Sequence, residues 1–282
     1  MTIARDDRVL PATRTLAAII VPFLLAAFVL LYLFPGETGR WFAWEVRPRM
    51  TPLVMSSGYL AGAYFFVRVA LARSWHRVHL GFPAITVFTL FIAIATISHL
   101  DRFDRDHAAF WVWSALYATT PVLVPLAWWR NRATDPGMLE PAGDLALSGR
   151  VRAVLLGAAA AQSAVAVALL VSPATMIGIW PWRLTPLTAQ VLGAWFALPG
   201  AVALMMAIDG RWSAIRITLH SQVLGLALIL LGAARAWDDL DHASPMAYVF
   251  AGGLGLLLVG LVALDVGARG VGRRAAPAAV RP

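Results

Sequence analysis

Two short segments of the sequence concentrate acidic residues and histidines in a pattern that suits ligand binding. They are HLDRFDRDH at 99–107 and RAWDDLDH at 235–242. Each holds two aspartates three positions apart, which lie on the same face of a helical turn, and each has a histidine close by. Carboxylates bind divalent cations, and histidine adds a nitrogen ligand. The sequence therefore predicts a site for a divalent cation or a cationic group, formed by Asp101, Asp104, His107, Asp238, Asp241 and His242, with His99 nearby.

The arginines inside these segments support a second interpretation, in which both segments are solvated loops. Arg102, Arg105 and Arg235 can neutralise the neighbouring acids. Exposed ion pairs contribute only about 0–1 kcal/mol and require no function. Both interpretations remain open from the sequence.

The composition indicates a membrane protein. Apolar residues make up 60% of the sequence and charged residues 13%, whereas a soluble domain has about twice that charged share. The apolar residues form blocks close to the ~20 residues that a helix needs to cross a bilayer. We predict an all-α integral membrane protein with eight transmembrane helices, near 15–34, 53–72, 79–100, 108–129, 151–172, 187–208, 213–236 and 245–266.

The arginines indicate the orientation in the membrane. All 23 basic residues are arginine, and the net charge is +8. Fourteen arginines fall on the side of the predicted membrane that holds both termini, and seven fall on the other side. Because cytoplasmic loops carry the excess of basic residues, we predict a bacterial inner-membrane protein with cytoplasmic termini and outward-facing acidic segments. Arginines beside apolar spans indicate contact with membrane lipid and not with nucleic acid.

The sequence also matches itself at an offset of 138 residues, which slips to 137 in the later helices. Loops and helix ends match together, which apolar composition alone does not produce. Examples are the pairs Arg14 and Arg152, Trp44 and Trp182, Pro48 and Pro186, and Asp101 and Asp238. Each unit has four helices, so both units enter the membrane from the same side, and we predict two parallel four-helix repeats. The predicted domains are the first repeat at 1–130, a cytoplasmic linker at 131–150, the second repeat at 151–268 and a disordered basic tail at 269–282.

Polar residues within the apolar spans are candidates for a solute pathway. They are Arg68, Gln190 and Gln222, with Gln162 as a further amide. Polar groups inside a membrane usually face the interior of the helical bundle. The structural alternatives are snorkelling of Arg68 to the membrane surface and hydrogen bonds between helices for the glutamines.

The sequence lacks the motifs of several chemistries. It has no cysteine, which excludes disulfides, thiol nucleophiles and thiolate-bound metal centres. HExxH, P-loop and GxGxxG motifs are absent, so no catalytic residue is predicted. Haem ligation is not expected, because His79 and His220 do not occupy matching positions in the repeat. His76, which lies between Trp75 and Arg77, is interpreted as an anchor at the membrane surface.

The stretches FAWEVRPRMT at 42–51 and HLDRFD at 99–104 resemble a family of multi-pass membrane proteins from GC-rich bacteria. The resemblance covers residues 34–130 and implies a multi-pass membrane fold. It implies no activity and transfers no functional residue.

Together these features predict a small-solute or ion transporter, or another ligand-binding membrane protein, with an outward-facing acidic site between the repeats. One alternative is a metal-dependent membrane enzyme that acts at the outer face. Another is a structural or assembly subunit without a ligand site. Association with further copies of the chain or with a partner subunit is compatible with all three.

Overall fold

The computed structural model describes residues 6–140 and 144–275, with side chains up to residue 270. Within these ranges the regular secondary structure is helical, apart from two isolated β-bridges. Eight helices are long and apolar enough to cross a membrane, which confirms the all-helical, multi-pass class. We number them α1 (Pro11–Leu33), α2 (Met50–Leu71), α3 (Gly81–Ser98), α4 (Ala108–Thr134), α5 (Gly149–Val171), α6 (Pro186–Asp209), α7 (Trp212–Arg235) and α8 (Pro245–Gly270).

Two predicted connecting segments are described only in part. The helix of α8 continues beyond its membrane-length segment to Ala275, so the first residues of the predicted tail are helical. Residues 276–282 of that tail lie outside the described residues, as do residues 141–143 of the predicted linker.

Local signals explain the two ends of α6. Pro186 opens the helix, where its missing N–H leaves no hydrogen bond unmade. Thr185 and Thr188 cap it reciprocally, because the hydroxyl of each accepts a hydrogen bond from the backbone N–H of the other. The helix stops at Gly210, whose φ of 73° is the left-handed conformation that glycine adopts without strain. These caps matter in a bilayer, where water is not available to satisfy free backbone groups.

Four helices form the centre of the molecule and four lie at its periphery. α2 packs against α7, and α3 packs against α6. Each peripheral helix packs on a central neighbour: α1 on α2, α4 on α3, α5 on α6, and α8 on α7. In the most apolar stretch of each helix, 61% of the residues of α2 and 56% of those of α6 are buried. In α8 only 6% are buried, so this helix presents most of its surface outward.

A glycine makes room for a tryptophan between two central helices. Gly58 of α2 faces Trp195 of α6, and a Cβ atom at Gly58 would lie 2.1 Å from the indole ring. The same indole packs on Tyr59 of α2 and Phe88 of α3, with ring centroids 5.0 Å and 4.6 Å away. Trp195 therefore joins three of the central helices.

Contacts between loops define two ends of the bundle. At the end that we call the terminal end, the segment before α1 pairs with the α2–α3 loop, and the linker before α5 pairs with the α6–α7 loop. At the opposite end, the α1–α2 connection pairs with the α3–α4 loop, and the α5–α6 connection pairs with the α7–α8 loop. The backbone hydrogen bonds are Trp75 N to Asp7 O at 2.8 Å, Val9 N to Arg73 O at 3.3 Å, Trp212 N to Leu145 O at 2.8 Å, Leu147 N to Gly210 O at 2.8 Å, Asp104 N to Ala43 O at 2.9 Å, and Asp241 N to Pro181 O at 2.8 Å.

Candidate functional site

A buried arginine at the terminal end holds two carboxylates from different segments. The guanidinium of Arg211 donates to both oxygens of Asp135, each at 2.8 Å. It also donates to Asp209, from Nε at 2.9 Å and from Nη2 at 2.6 Å. Asp135 belongs to the linker, Asp209 ends α6, and Arg211 precedes α7. Bidentate pairs of this kind combine charge with a fixed geometry, so Arg211 ties the linker to the α6–α7 loop.

The same contacts set the protonation states of the group. Hydrogen bonds to Asp135 and then to Asp209 raise the pKa of Arg211 further above its usual value. Burial alone would raise the pKa of Asp135, but the hydrogen bonds from Arg211 and from the Gly137 N–H outweigh burial and lower it. The linker carboxylate is therefore ionised at neutral pH.

His79 completes this group from the α2–α3 loop. Its Nε2 lies 3.1 Å from Oδ2 of Asp209, and its Nδ1 lies 2.8 Å from the carbonyl oxygen of His76. Nδ1 also lies 4.0 Å from Oδ2 of Asp135. All three neighbours are hydrogen-bond acceptors, so the ring of His79 faces acceptor atoms on both sides.

His79, Asp135 and Asp209 also have the donor atoms of a metal site. One ligand atom from each lies within 4.8 Å of the others, and no other set of three ligating residues among the described ones meets this criterion. A nitrogen with two carboxylate oxygens suits a divalent transition metal. However, Arg211 already occupies the same carboxylate oxygens with a fixed positive charge. The guanidinium of Arg211 is therefore the cation of this group and stands where a metal ion would bind.

A second histidine of the α2–α3 loop contacts two more acids. Nδ1 of His76 lies 2.6 Å from Oδ2 of Asp7, and Nε2 lies 2.7 Å from Oε1 of Glu140. Arg77 also donates to Glu140, from Nε at 2.7 Å. Burial alone would lower the pKa of His76, but the hydrogen bonds and charges of Asp7 and Glu140 outweigh burial and raise it. The predicted surface anchor is in fact a buried side chain, 4% exposed, that connects the N-terminal segment to the linker.

The linker has one further attachment, at the start of α7. Asp144 accepts hydrogen bonds from the Ser213 N–H at 2.8 Å and from the Ser213 hydroxyl at 2.6 Å. Four separate segments therefore meet at the terminal end through charged and polar contacts. We call this group the polar cluster, and it comprises Asp7, His76, His79, Asp135, Glu140, Asp144, Asp209 and Arg211.

The acids of the first predicted segment lie at the opposite end. Asp101 is exposed and pairs with Arg102 at 3.1 Å, with 71% of each side chain accessible. Asp104 accepts from the Asp106 N–H at 3.1 Å and lies 3.4 Å from Nδ1 of His107. The structure thus brings Asp104 and His107 together. His99 has a buried Nε2 without a hydrogen-bond partner among the described residues.

The acids of the second segment make similar local contacts. Asp241 accepts from the Ala243 N–H at 3.1 Å, and His242 lies 2.8 Å from the carbonyl oxygen of Trp237, while Asp238 is exposed. Among the described residues, no hydrogen bond or ion pair joins this segment to the first. The joint site formed by the two segments stays a prediction.

A cavity of about 160 Å³ lies among the spanning helices. Its walls come from α2, the start of α3, and α5, α6, α7 and α8. Small residues such as Gly62 and Gly225 leave space between the helices. The lining is mostly apolar, and besides the indole of Trp195 its polar side chains are Gln162, Thr218, Ser221 and Gln222.

The three predicted pathway residues lie in different surroundings. Arg68 donates to the Tyr64 hydroxyl at 3.2 Å, one turn away on the same helix and near the terminal end. Gln190 donates to the Leu170 carbonyl at 2.9 Å and so links α6 to α5, although its Oε1 is buried and has no partner in the part of the chain that the structure describes. Only Gln222 lines the cavity.

The polar cluster was not predicted from the sequence. Its acids occur in the linker, before α1 and at the end of α6, and each resembles an ordinary solvated loop residue. One feature of the sequence could have indicated it. Two histidines, His76 and His79, lie three positions apart at the start of the third predicted helix, where a single histidine would be enough to anchor the chain at the membrane surface.

Comparison of the chain with known protein families, with curated proteins and with solved structures finds no match. The class that the fold itself defines is an all-helical membrane protein, and the described residues include eight helices able to span a bilayer.

Proposed function

We propose that this protein is a ligand-binding membrane protein of the transporter class, in which two related halves enclose a binding cavity. The observation that carries the proposal is the position of the cavity. One wall consists of α2 and the start of α3, from the first half of the chain, and the remaining walls come from α5 to α8. In transporters built from parallel repeats, the substrate site lies near the bilayer midplane between the repeats.

The packing of the helices supports the two-repeat architecture. The second helix of each half packs on the third helix of the other half, as α2 with α7 and α6 with α3. Such reciprocal pairing is what a pseudo-two-fold axis along the membrane normal would produce.

The loop contacts support the same architecture. Trp75 donates to Asp7 in the first half and Trp212 donates to Leu145 in the second, positions that differ by 137 and 138 residues. The isolated bridges agree, since Arg8 pairs with Ser74 and Ala146 pairs with Arg211 at the same offsets.

The arginine distribution would place the polar cluster in the cytoplasm and the acidic segments outside. In that orientation the polar cluster closes the cytoplasmic end of the central helices. Because the chain has no cysteine, single variants can test this directly. A membrane-impermeant maleimide should label Arg105→Cys in intact cells and label Met138→Cys, at a side chain that is 71% exposed, only after lysis. Labelling of Met138→Cys in intact cells would contradict the orientation.

The binding function is tested by native mass spectrometry of the protein released from lipid nanodiscs. We expect a reproducible added mass on the wild-type chain. Ala158 of α5 lines the cavity, so Ala158→Phe should reduce that added mass by filling the space. Ala160 lies on the same helix and is exposed, so Ala160→Phe is the matched control. A bare protein mass in all three proteins would contradict the proposal, and a stoichiometric second chain would favour an assembly subunit.

A further inference from the structure

We infer that the cavity binds a neutral, membrane-soluble molecule that carries carbonyl or hydroxyl groups on an apolar body. This inference rests on the proposed function and names the chemical class of its ligand. The features that carry it are the depth of the cavity, the absence of charge in its lining, and the free hydrogen-bonding capacity of its amides.

The surroundings of the cavity point to entry from the bilayer. Leu155, Ala158 and Gln162 line it from α5, and Phe250, Leu254, Leu257 and Leu261 line it from α8. These two helices are peripheral, and each packs mainly on a central helix. In the most apolar stretch of each, only 22% of the residues of α5 and 6% of those of α8 are buried. A molecule dissolved in the hydrocarbon layer can therefore reach the cavity between α5 and α8 without crossing the polar cluster.

The lining excludes a charged ligand. None of the described residues that line the cavity is an aspartate, glutamate, arginine, lysine or histidine. An ion at this depth would lose its hydration without gaining a counter-charge, which is costly. The ligand is therefore neutral.

The amides supply hydrogen bonds that the protein itself does not use. Gln222 has no hydrogen-bond partner for its side chain among the described residues, whereas the hydroxyls of Ser221 and Thr218 donate to backbone carbonyls at 2.8 Å. Gln162 donates only to the Ala158 carbonyl of its own helix, at 3.4 Å. Both glutamines are half-buried. An amide that faces an apolar cavity with unused hydrogen-bonding capacity is unfavourable, so a ligand that offers an acceptor or a donor gains affinity here.

The depth of these amides separates this ligand from an ordinary phospholipid. Gln222 lies ten residues after Trp212, the first of the 24 residues of α7, which places it about 15 Å along the helix. A phospholipid keeps its polar headgroup at the membrane surface and would present only methylene groups at that depth. A carbonyl or hydroxyl on a mobile apolar molecule, as in a prenyl quinone, can reach the amide.

The test is a titration of the nanodisc-embedded protein with decylubiquinone, read by native mass spectrometry. Gln222→Leu should weaken binding roughly fivefold, the effect of losing one neutral hydrogen bond. Leucine is well tolerated inside a membrane helix, so folding should not be affected. Thr119→Val removes a polar group from an exposed position of α4, a helix that does not line the cavity, and this variant should bind as the wild type does. Ala158→Phe should lose binding by filling the space.

The outcomes separate this inference from the proposed function. Equal decylubiquinone affinity in wild type and Gln222→Leu, or equal competition by hexadecane, would overturn the ligand class. Failure of decylubiquinone to bind would also overturn the ligand class. If Ala158→Phe still removes another bound mass in that case, the proposed function stands. If no variant carries decylubiquinone or any other added mass, both fail.

Discussion

Nδ1 of His76 lies 2.6 Å from Oδ2 of Asp7, so the loop between α2 and α3 holds the segment that precedes α1. The other ring nitrogen lies 2.7 Å from Oε1 of Glu140 in the linker. Because both neighbours are carboxylates, both hydrogen bonds persist only while His76 is doubly protonated and positively charged. One titratable ring therefore connects the start of the chain with the segment between its halves.

The stability of the protein should fall as the pH rises above the usual histidine range. The pKa of His76 is raised above its ordinary value of 6.5 by Asp7 and Glu140, against the opposing effect of burial. A group whose pKa is raised in the folded state stabilises fully below its unfolded pKa. That contribution is lost as the pH rises through the folded pKa. We expect the thermal midpoint in detergent to decline as the pH rises from the ordinary histidine value of 6.5 through the raised pKa of His76.

Two histidine variants isolate this effect. His76→Gln should have a lower thermal midpoint than the wild type at about pH 6, and its midpoint should decline much less as the pH rises. His242→Gln, at an exposed histidine of the opposite end, should keep the decline of the wild type. An unchanged slope in His76→Gln would show that another group is responsible.

Loss of Arg211 should destabilise the fold strongly. Arg211→Met leaves Asp135 and Asp209, whose side chains are 16% and 10% exposed, as ionised groups without their guanidinium. Removing one partner of a buried charge pair costs about 3–5 kcal/mol. Denaturant titration would measure the loss. Adding Asp135→Asn and Asp209→Asn to the same chain should recover part of it, because those substitutions remove the carboxylate charges that Arg211 balances.

The exposed ion pair of the opposite end provides the control for Arg211. Arg102→Met breaks a pair in which both side chains are 71% exposed. Its cost should not exceed about 1 kcal/mol. Similar losses for Arg102→Met and Arg211→Met would mean that burial does not determine the strength of the pair in the polar cluster.

Removal of the same arginine should also create a metal site. Arg211→Ala leaves the ligand atoms of His79, Asp135 and Asp209 within 4.8 Å of one another and without their competing cation. We expect Zn²⁺ to raise the thermal midpoint of this variant and to leave that of the wild type unchanged. Adding His79→Ala to the variant should abolish the response, and a response that survives would assign Zn²⁺ to another position.

A methyl group at Gly58 should disturb the contact between α2 and α6. The new Cβ atom would lie 2.1 Å from the ring of Trp195, so either the indole or one of the helices must shift. Overpacking of this kind costs about 1–3 kcal/mol. Trp195→Leu in the Gly58→Ala background should relieve part of the strain. Gly157→Ala, where the added atom meets nothing within 4 Å, should be neutral or slightly stabilising.

The predicted acidic site leads to a separate prediction, which concerns the binding of divalent cations. If both segments form one site, Mn²⁺ should bind to the wild type, and Asp101→Asn and Asp238→Asn should each weaken that binding at least tenfold. Asp106→Asn, at an exposed acid outside the predicted set, is the control. Electron paramagnetic resonance of free Mn²⁺ measures the affinity. Absence of binding, or equal effects of all three variants, would favour the solvated loops.

The membrane class and the eight spans could be predicted from the sequence because both depend on local composition. A run of apolar residues long enough to cross a bilayer can pair its backbone groups within the run only as a helix, and hydrocarbon supplies no water to pair them otherwise. The break at Gly210 and the start at Pro186 are likewise local signals. The self-match of the sequence predicts which loops are equivalent, although it does not indicate which loops touch.

The polar cluster and the cavity were decided only by the tertiary structure. Asp7, His76 and Glu140 occur in three separate stretches, and each alone has the pattern of a solvated surface residue. Their interaction depends on the packing that brings four loops to one end of the bundle. In the same way, Gln162 and Gln222 line one cavity because α5 packs on α6, α7 packs on α2, and α2 contacts α6. A side chain's neighbours across the bundle follow from how helices cross, which no local stretch of residues specifies.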